Sequence, residues 1–244
     1  MKNSWGINIK IAILVILGVI FIGAAIKEQY PYVKAAQENK RIRAEYADGD
    51  DKEEGDAKHG KDINFAGLQG MNPDIVGWIE IPGTPIDYPI LKNPYDNYYL
   101  THSPSGAYSE LGSIFMQASA DAGFNGKHTI LYGHNLADGQ MFGSLDVYAA
   151  KDARDAQPYI YIYLPGERLR GTVYSAYICQ DQSEAYQLTY KDMDAYLNWL
   201  DMTVVDSNYT SVHPKGTDKV LTLSTCTDTG ADRFVIHSIL EEYE

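Results

Sequence analysis

The sequence predicts a mainly β domain, a closed or nearly closed barrel with a few peripheral helices, carried behind an N-terminal apolar helix. Three observations predict it. Short runs of strand formers recur from residue 75 to residue 240, helical patterns interrupt them at only a few places, and no repeat at solenoid spacing occurs.

The chain opens with a short basic tail, residues 1–10 with Lys2 and Lys10, followed by an unbroken apolar run at 11–26 that Lys27 closes. A bilayer needs roughly 20 apolar residues, and Ile7 and Ile9 can lengthen the run on its N-terminal side. Gly23-Ala24-Ala25 would also suit a cleaved secretory signal. Both readings export the rest of the chain. The basic tail favours an uncleaved signal-anchor, with the tail cytoplasmic and the folded part outside the cell. Residues 27–61 read as a stalk. Within it, 32–46 combines helix formers, mixed charge and only a thin apolar stripe, which predicts a solvated helix, and 48–61 is an acidic linker for which no fold is expected. The folded domain then spans 62–244.

Residues 62–71 read as a short helix leading into a strand at 75–81 that stops at Pro82-Gly83. Further strands are expected at 86–91, 112–116, 128–132, 159–164, 169–179, 219–226 and 233–240. The turn Pro165-Gly166-Glu167 makes a hairpin of the two strands beside it. Helices are expected at 141–148 and 191–204. In the latter, Met193, Tyr196, Leu197 and Leu200 recur at three- and four-residue spacing, the mark of a core-facing stripe. The 20 tyrosines suit barrel walls, with carbohydrate stacking as the alternative.

The formal charge of −13 and the lack of any Lys/Arg cluster exclude a protein that tracks nucleic-acid phosphates. His102, His128 and His213 show no zinc spacing and His59 lies in the linker, so neither metal nor cofactor is expected. His237 shares a strand face with Arg233 and Val235 and reads as a satisfied core or groove histidine.

The chemistry concentrates near the C-terminus. The run Val220-Leu221-Thr222-Leu223-Ser224-Thr225-Cys226 ends a strand in a thiol, and Arg233 opens the next strand seven residues later. Neighbouring strands would hold sulfur and guanidinium together at one end of a sheet. The segment His128-Thr129-Ile130-Leu131-Tyr132-Gly133-His134-Asn135 delivers His134 from another strand into a polar loop, and a Cys with a sequence-distant His is a candidate nucleophile and base. Two structural readings compete: Cys226 as an inert buried thiol, and a Cys179–Cys226 disulfide, which an exported chain permits.

These residues resemble the sortases, and within them class B. Thr-Leu-Ser-Thr-Cys at 222–226, Arg233 in Arg-Phe-Val-Ile-His and Leu-Tyr-Gly-His-Asn at 131–135 carry the resemblance. Asn-Pro-Asp-Ile-Val-Gly-Trp-Ile at 72–79, Ile-Asp-Tyr-Pro-Ile at 86–90 and Gly-Ser-Ile-Phe at 112–115 extend it in the same order.

The resemblance implies an eight-stranded sortase-type barrel and a membrane-anchored cysteine transpeptidase of a Gram-positive cell envelope. Cys226 would attack a peptide carbonyl, His134 would protonate the departing amine, and Arg233 would stabilise the oxyanion or hold the substrate backbone. The implied substrate is a secreted protein with a C-terminal sorting signal resembling Asn-Pro-x-Thr, cleaved after Thr. The acyl group would pass to a peptidoglycan peptide amine or, in some members, to a pilin lysine. Asn97 and Leu100 resemble a segment lining the peptide groove, with Asp96 competing for the place of Asn97. Tyr132 and Ser224 precede His134 and Cys226 by two residues and share their strand faces, which makes them further substrate-site candidates or ordinary packing residues. Some relatives carry an acidic residue directly after the cysteine, where this chain has Thr227 and then Asp228. A tethered barrel that binds peptides without turnover, and a plain cysteine endopeptidase, are the other functional readings.

Overall fold

The computed structural model describes residues 4–48, 60–209, 212–227 and 229–243. A long helix, α1 (Ser4–Tyr46), leads to a two-stranded pairing of β1 (Ala47–Asp48) with β2 (Asp62–Ile63) and to α2 (Phe65–Met71). Most of the linker, with His59, lies outside the described residues. Eight strands then follow: β3 (Ile75–Glu80), β4 (Asp87–Leu91), β5 (Ile114–Met116), β6 (His128–Tyr132), β7 (Tyr159–Leu164), β8 (Glu167–Cys179), β9 (Lys219–Cys226) and β10 (Arg233–Glu242). They close into a barrel in the order β10-β8-β7-β3-β4-β5-β6-β9, with β9 returning to β10. The β4–β5 and β6–β9 pairs are parallel and the others antiparallel. Two further helices, α3 (Lys151–Ala156) and α4 (Met193–Val205), decorate the outside.

Period-two alternation decides what faces the core. On β7, Ile160 and Ile162 enter the barrel while Tyr161 and Tyr163 join an outer apolar layer; on β9, Leu221 and Leu223 point inward. Tyrosine recurs in the outer layer, as Tyr174 of β8 packed against Tyr196 of α4 also shows. The β7–β8 turn places Pro165 and Gly166 between Leu164 and Glu167, with Gly166 at φ 83°, the arrangement of a type II turn.

Three local expectations differ from the structure. The helix expected over 62–71 starts only at Phe65, because Asp62–Ile63 pairs with β1 as a strand and the Asn64 side chain caps the helix behind it. The strand expected from Gly112 begins only at Ile114, because Gly112 has φ 58° and its α-carbon packs against the Tyr99 carbonyl, where an ideal β-carbon would lie at 2.5 Å. The helix expected at 141–148 is a 3-10 segment, Gly143–Ala149, preceded by Met141 at φ 51°, which breaks a regular helical start.

The expected solvated stalk is in fact docked. Ala35, Asn39 and Ile42 are buried, and Ile42 packs with Trp78, Leu91 and Tyr163. Burying an isoleucine stabilises this contact by about 2 kcal/mol. Charge fixes its register: Arg43 Nε lies 2.8 Å from Asp87 Oδ2, and Lys61 Nζ reaches both Asp87 Oδ2 (2.7 Å) and Glu80 Oε1 (3.1 Å). Trp78 Nε1 donates to Asp87 Oδ1 at 2.6 Å and Tyr163 Oη to Glu80 Oε2 at 2.9 Å, so both carboxylates are held by several donors as they leave water. The thin stripe in 32–46 was the visible part of this interface; its partner lies about 40 residues away on β3 and β4.

Outside β8, β9 and β10, α4 covers a buried polar chain. Tyr177 donates to His237 Nε2 (3.0 Å), His237 Nδ1 to Thr222 Oγ1 (2.7 Å), Thr222 to His128 Nε2 (2.6 Å), and His128 Nδ1 to the Gln187 carbonyl (2.7 Å). The direction is set from the Gln187 end with both rings neutral, since a carbonyl only accepts and the Thr222 hydroxyl has one proton to give. Both imidazoles are thereby satisfied in the neutral state. Burial pulls His128 down to about 4, and burial with the neighbouring His128 pulls His237 down as well. His237 is thus a satisfied core histidine.

Candidate active site

The β9–β10 ladder sets Cys226 directly opposite Arg233, and β6 runs parallel to β9 with Tyr132 opposite Ser224. Thr222, Ser224 and Cys226 share the β9 face turned away from the barrel interior, opposite to Leu221 and Leu223. The thiol therefore opens outward.

Beyond β6 the chain stays locked to β9. Gly133 N donates to the Ser224 carbonyl (3.2 Å), Thr225 Oγ1 to the Gly133 carbonyl (2.8 Å), and Asn135 Nδ2 to the Cys226 carbonyl (2.9 Å). At Gly133 an ideal β-carbon would sit 2.5 Å from Ile114 Cδ1 and 2.8 Å from the Phe142 ring, so only glycine lets the turn approach so closely. This turn presents His134. Its Nε2 lies 2.7 Å from the Leu100 carbonyl. A carbonyl can only accept, so Nε2 carries the hydrogen and Nδ1 becomes the nitrogen that takes up and releases a proton.

Cys226, His134 and Arg233 line one open groove of about 720 Å³, together with Asp96, Asn97, Leu100, Tyr132 and Ser224. Every candidate read from the sequence thus lines the same groove, Asp96 as well as Asn97. Asp96 is the more anchored of the two, accepting from Gln117 Nε2 at 3.0 Å and from the Ala118 amide. Arg233 Nη1 donates to the Gly230 and Asp232 carbonyls, both at 3.1 Å, and Nη2 stands 3.8 Å from Asp181 Oδ2. Asp228, next but one after the thiol, lies outside the described residues. Asp181 is a carboxylate that reaches the guanidinium from another segment.

Cys179 and Cys226 are both free. They pair with Arg233 from opposite sides, on β8 and β9. Two strand spacings of about 4.8 Å separate them, beyond disulfide reach. Burial pushes the Cys179 thiol up, away from the thiolate.

Phe115 and Tyr186, on the groove wall with Tyr132 and Ser224, escaped the sequence reading. Phe115 stacks on Tyr132 (centroids 5.3 Å apart), Tyr132 lies parallel to Tyr186 (6.2 Å), and Tyr186 Oη meets Ser224 Oγ at 2.8 Å. Burial raises both tyrosines, which stay neutral hydrogen-bonding groups. Tyr186 comes from a 3-10 turn, Glu184–Tyr186, that Trp199 of α4 pins through its Nε1 on the Glu184 carbonyl (2.8 Å). No periodicity marks the residues around 180–190 in the sequence. The hydrogen bond from His134 to a main-chain carbonyl was equally invisible, because any residue at 100 would supply the same oxygen.

A thiol facing a guanidinium across a ladder, with a tautomer-fixed imidazole on the same groove, is the layout of a cysteine acyl-transfer enzyme. A sortase-domain family model matches residues 79–241. Sortase B of Listeria monocytogenes is 36% identical over 167 residues, covering 68% of this chain and 67% of that protein. Sortase B of Staphylococcus aureus is 29% identical over 222 residues, 89% of this chain and 88% of that one. Among solved structures, the Staphylococcus aureus sortase B–substrate complex matches with a TM-score of 0.70 at 29% identity, over 74% of this chain and 85% of that chain. Sortase B from B. anthracis in complex with AAEK1 matches with a TM-score of 0.77 at 27% identity, over 88% and 99%. A sortase B complexed with triglycine matches with a TM-score of 0.70 at 29% identity, over 74% and 86%. The chain belongs to the sortase family and, within it, to the class B transpeptidases.

Proposed function

We propose that this transpeptidase cleaves an Asn-Pro-x-Thr-like sorting signal of secreted proteins after Thr and transfers the acyl group to a cell-wall peptide amine. The supporting observation is the cross-strand pairing of Cys226 with Arg233 on the groove that His134 enters. The Cys226 thiolate attacks the Thr carbonyl, and the resulting oxyanion is met by the Arg233 guanidinium. His134, protonated at Nδ1, gives that proton to the departing amine as the C–N bond breaks, leaving a thioester on Cys226. An incoming amine then attacks the thioester, returns a proton to His134, and expels the thiolate. The cycle closes with no net proton change.

The substrate arm is supported by a related sortase B solved as a substrate complex and the acceptor arm by one complexed with triglycine, beside the groove lined by Asn97, Leu100, Tyr132 and Ser224. A pilin lysine as acceptor uses the same chemistry. The apolar start of α1, long enough to cross a bilayer, supports a single-pass anchor with the catalytic domain facing the cell wall. Triglycine tests the transfer step. It should accelerate turnover of an Asn-Pro-x-Thr peptide and divert product into the glycyl adduct; unchanged turnover with only hydrolysed product would make the protein a plain endopeptidase. Cys226→Ala should lose cleavage while retaining peptide binding.

A further inference from the structure

The docked part of α1 brings the barrel down to the level at which the helix leaves the apolar run. Residues 13–22 expose apolar side chains on all sides, with Phe21 81% exposed, and the first charge beyond them is Lys27. Pro31, inside the helix, has no amide hydrogen, so the Lys27 carbonyl lacks its helical donor and needs one from water or headgroups. Both features put the edge of the hydrocarbon near Lys27.

At a rise of about 1.5 Å per residue, Tyr30 lies only about 5 Å past that edge and Lys34 about 10 Å past it. Yet the barrel already reaches this height. A cleft of about 240 Å³ forms between Tyr30, Pro31 and Lys34 of the helix and Ala107, Tyr108 and Glu110 of a barrel loop. The loop is rigid: Ser103 N donates to the Ala107 carbonyl (2.8 Å), Ser109 N to the Thr101 carbonyl (2.9 Å), and Asn72 Nδ2 to the Pro104 carbonyl (2.9 Å). Ser103 Oγ also donates to Glu38 Oε1 at 2.9 Å, tying it to the helix. Tyr108 nonetheless remains 71% exposed and Tyr30 64% exposed. Two exposed tyrosines at headgroup depth, with Lys34 on the same cleft as Glu110 and the Ser103-bound Glu38, and Lys27 about one turn before Tyr30, make an interfacial aromatic patch.

We propose that the barrel rests on the lipid bilayer through this patch, with Tyr30 and Tyr108 in the headgroup layer and Lys27 and Lys34 toward its phosphates. This rests on the membrane-anchored reading above and goes beyond it, because the stalk becomes a bracket that holds the enzyme against the surface. Glu38 stands at most about 17 Å along the helix from Lys27. Leu100, whose carbonyl orients His134, is three residues from the Ser103 that binds Glu38. The catalytic groove is therefore held at a fixed, low height above the lipid.

The test uses the full-length chain in liposomes with Trp5→Phe, which leaves Trp78 and Trp199 buried in the fold as a constant background. Tyr108→Trp or Tyr30→Trp is added singly, and fluorescence is compared between plain phosphatidylcholine and the same lipid brominated near the headgroup. The expected result is a blue-shifted added emission that brominated lipid quenches in both variants. Quenching at 30 with unquenched, water-like emission at 108 overturns the proposal while leaving the anchor intact. Release of the chain by alkaline carbonate overturns the anchored reading and the proposal together. Both positions are exposed, so folding is checked by unchanged cleavage of a soluble peptide.

Discussion

Acidification should destabilise this protein through two buried histidines before the surface carboxylates matter. In the folded state His128 and His237 are neutral, linked through Thr222, and packed under Tyr174, Tyr190 and Trp199. A proton on His128 Nε2 would turn the acceptor of the Thr222 hydroxyl into a second donor, and the chain of bonds would fail at its centre. Burial holds His128 at about 4, whereas an unfolded histidine titrates near 6.5. Between those values the unfolded chain binds the proton and the folded chain does not. Stability from this group is therefore complete above about pH 6.5 and is lost progressively down to about pH 4, a total of about 3 kcal/mol. His237, also depressed, acts in the same direction. The assay is urea unfolding of the detergent-solubilised Trp5→Phe chain across that range, followed by tryptophan emission, to which Trp199, its ring 4.4 Å from His128, contributes beside Trp78. His128→Gln should be less stable at neutral pH but lose less on acidification. Parallel pH profiles for the two proteins would mean that His128 does not carry this pH dependence. Because Trp199 also pins the Tyr186 turn, the same acidification should weaken peptide binding before global unfolding.

If Arg233 meets the oxyanion as proposed, Arg233→Lys should lower kcat by about 10²–10³, since an ammonium cannot reproduce a planar fork that holds the Gly230 and Asp232 carbonyls and would also serve an oxyanion; steady-state kinetics with near-normal folding checks it. Gly133→Ala should cost about 1–3 kcal/mol by driving a methyl group into Ile114 and Phe142, and it should lower kcat further by displacing His134, as thermal unfolding and turnover would show. Ile42→Ala should destabilise the docked end of α1 by about 2–4 kcal/mol, read as faster hydrogen exchange at residues 35–46 with the barrel strands still protected. If the proposed mechanism, which needs thiolate and imidazolium together, holds, activity against pH should be bell-shaped; a rate that climbs without a fall at high pH would remove His134 from the acid role.

The strands were legible because their alternation is imposed by a two-faced barrel wall: the Tyr159-Ile160-Tyr161-Ile162-Tyr163 run displays its inner and outer faces residue by residue. Closure was legible only as a class, since the parallel β6–β9 pairing that seals the barrel joins segments about 90 residues apart and leaves no local mark. Cys226 and Arg233 could be placed together because a short loop joins their strands, and His134 because a glycine turn follows a strand. The residues that complete the groove were hidden for physical reasons. Tyr186 and Asp181 sit on an irregular segment positioned by α4, and the Leu100 contribution is a main-chain oxygen. The docked stalk was misread because its stripe is thin: a few buried residues suffice when Arg43 and Lys61 converge on Asp87 and Glu80.

The most direct measurement is the intact mass of the enzyme after incubation with an Asn-Pro-x-Thr peptide, followed by mapping of the modified residue. An added Asn-Pro-x-Thr acyl mass is expected on Cys226, discharged by triglycine and lost in Cys226→Ala. An adduct on Cys179, or turnover that persists in Cys226→Ala, would contradict that assignment.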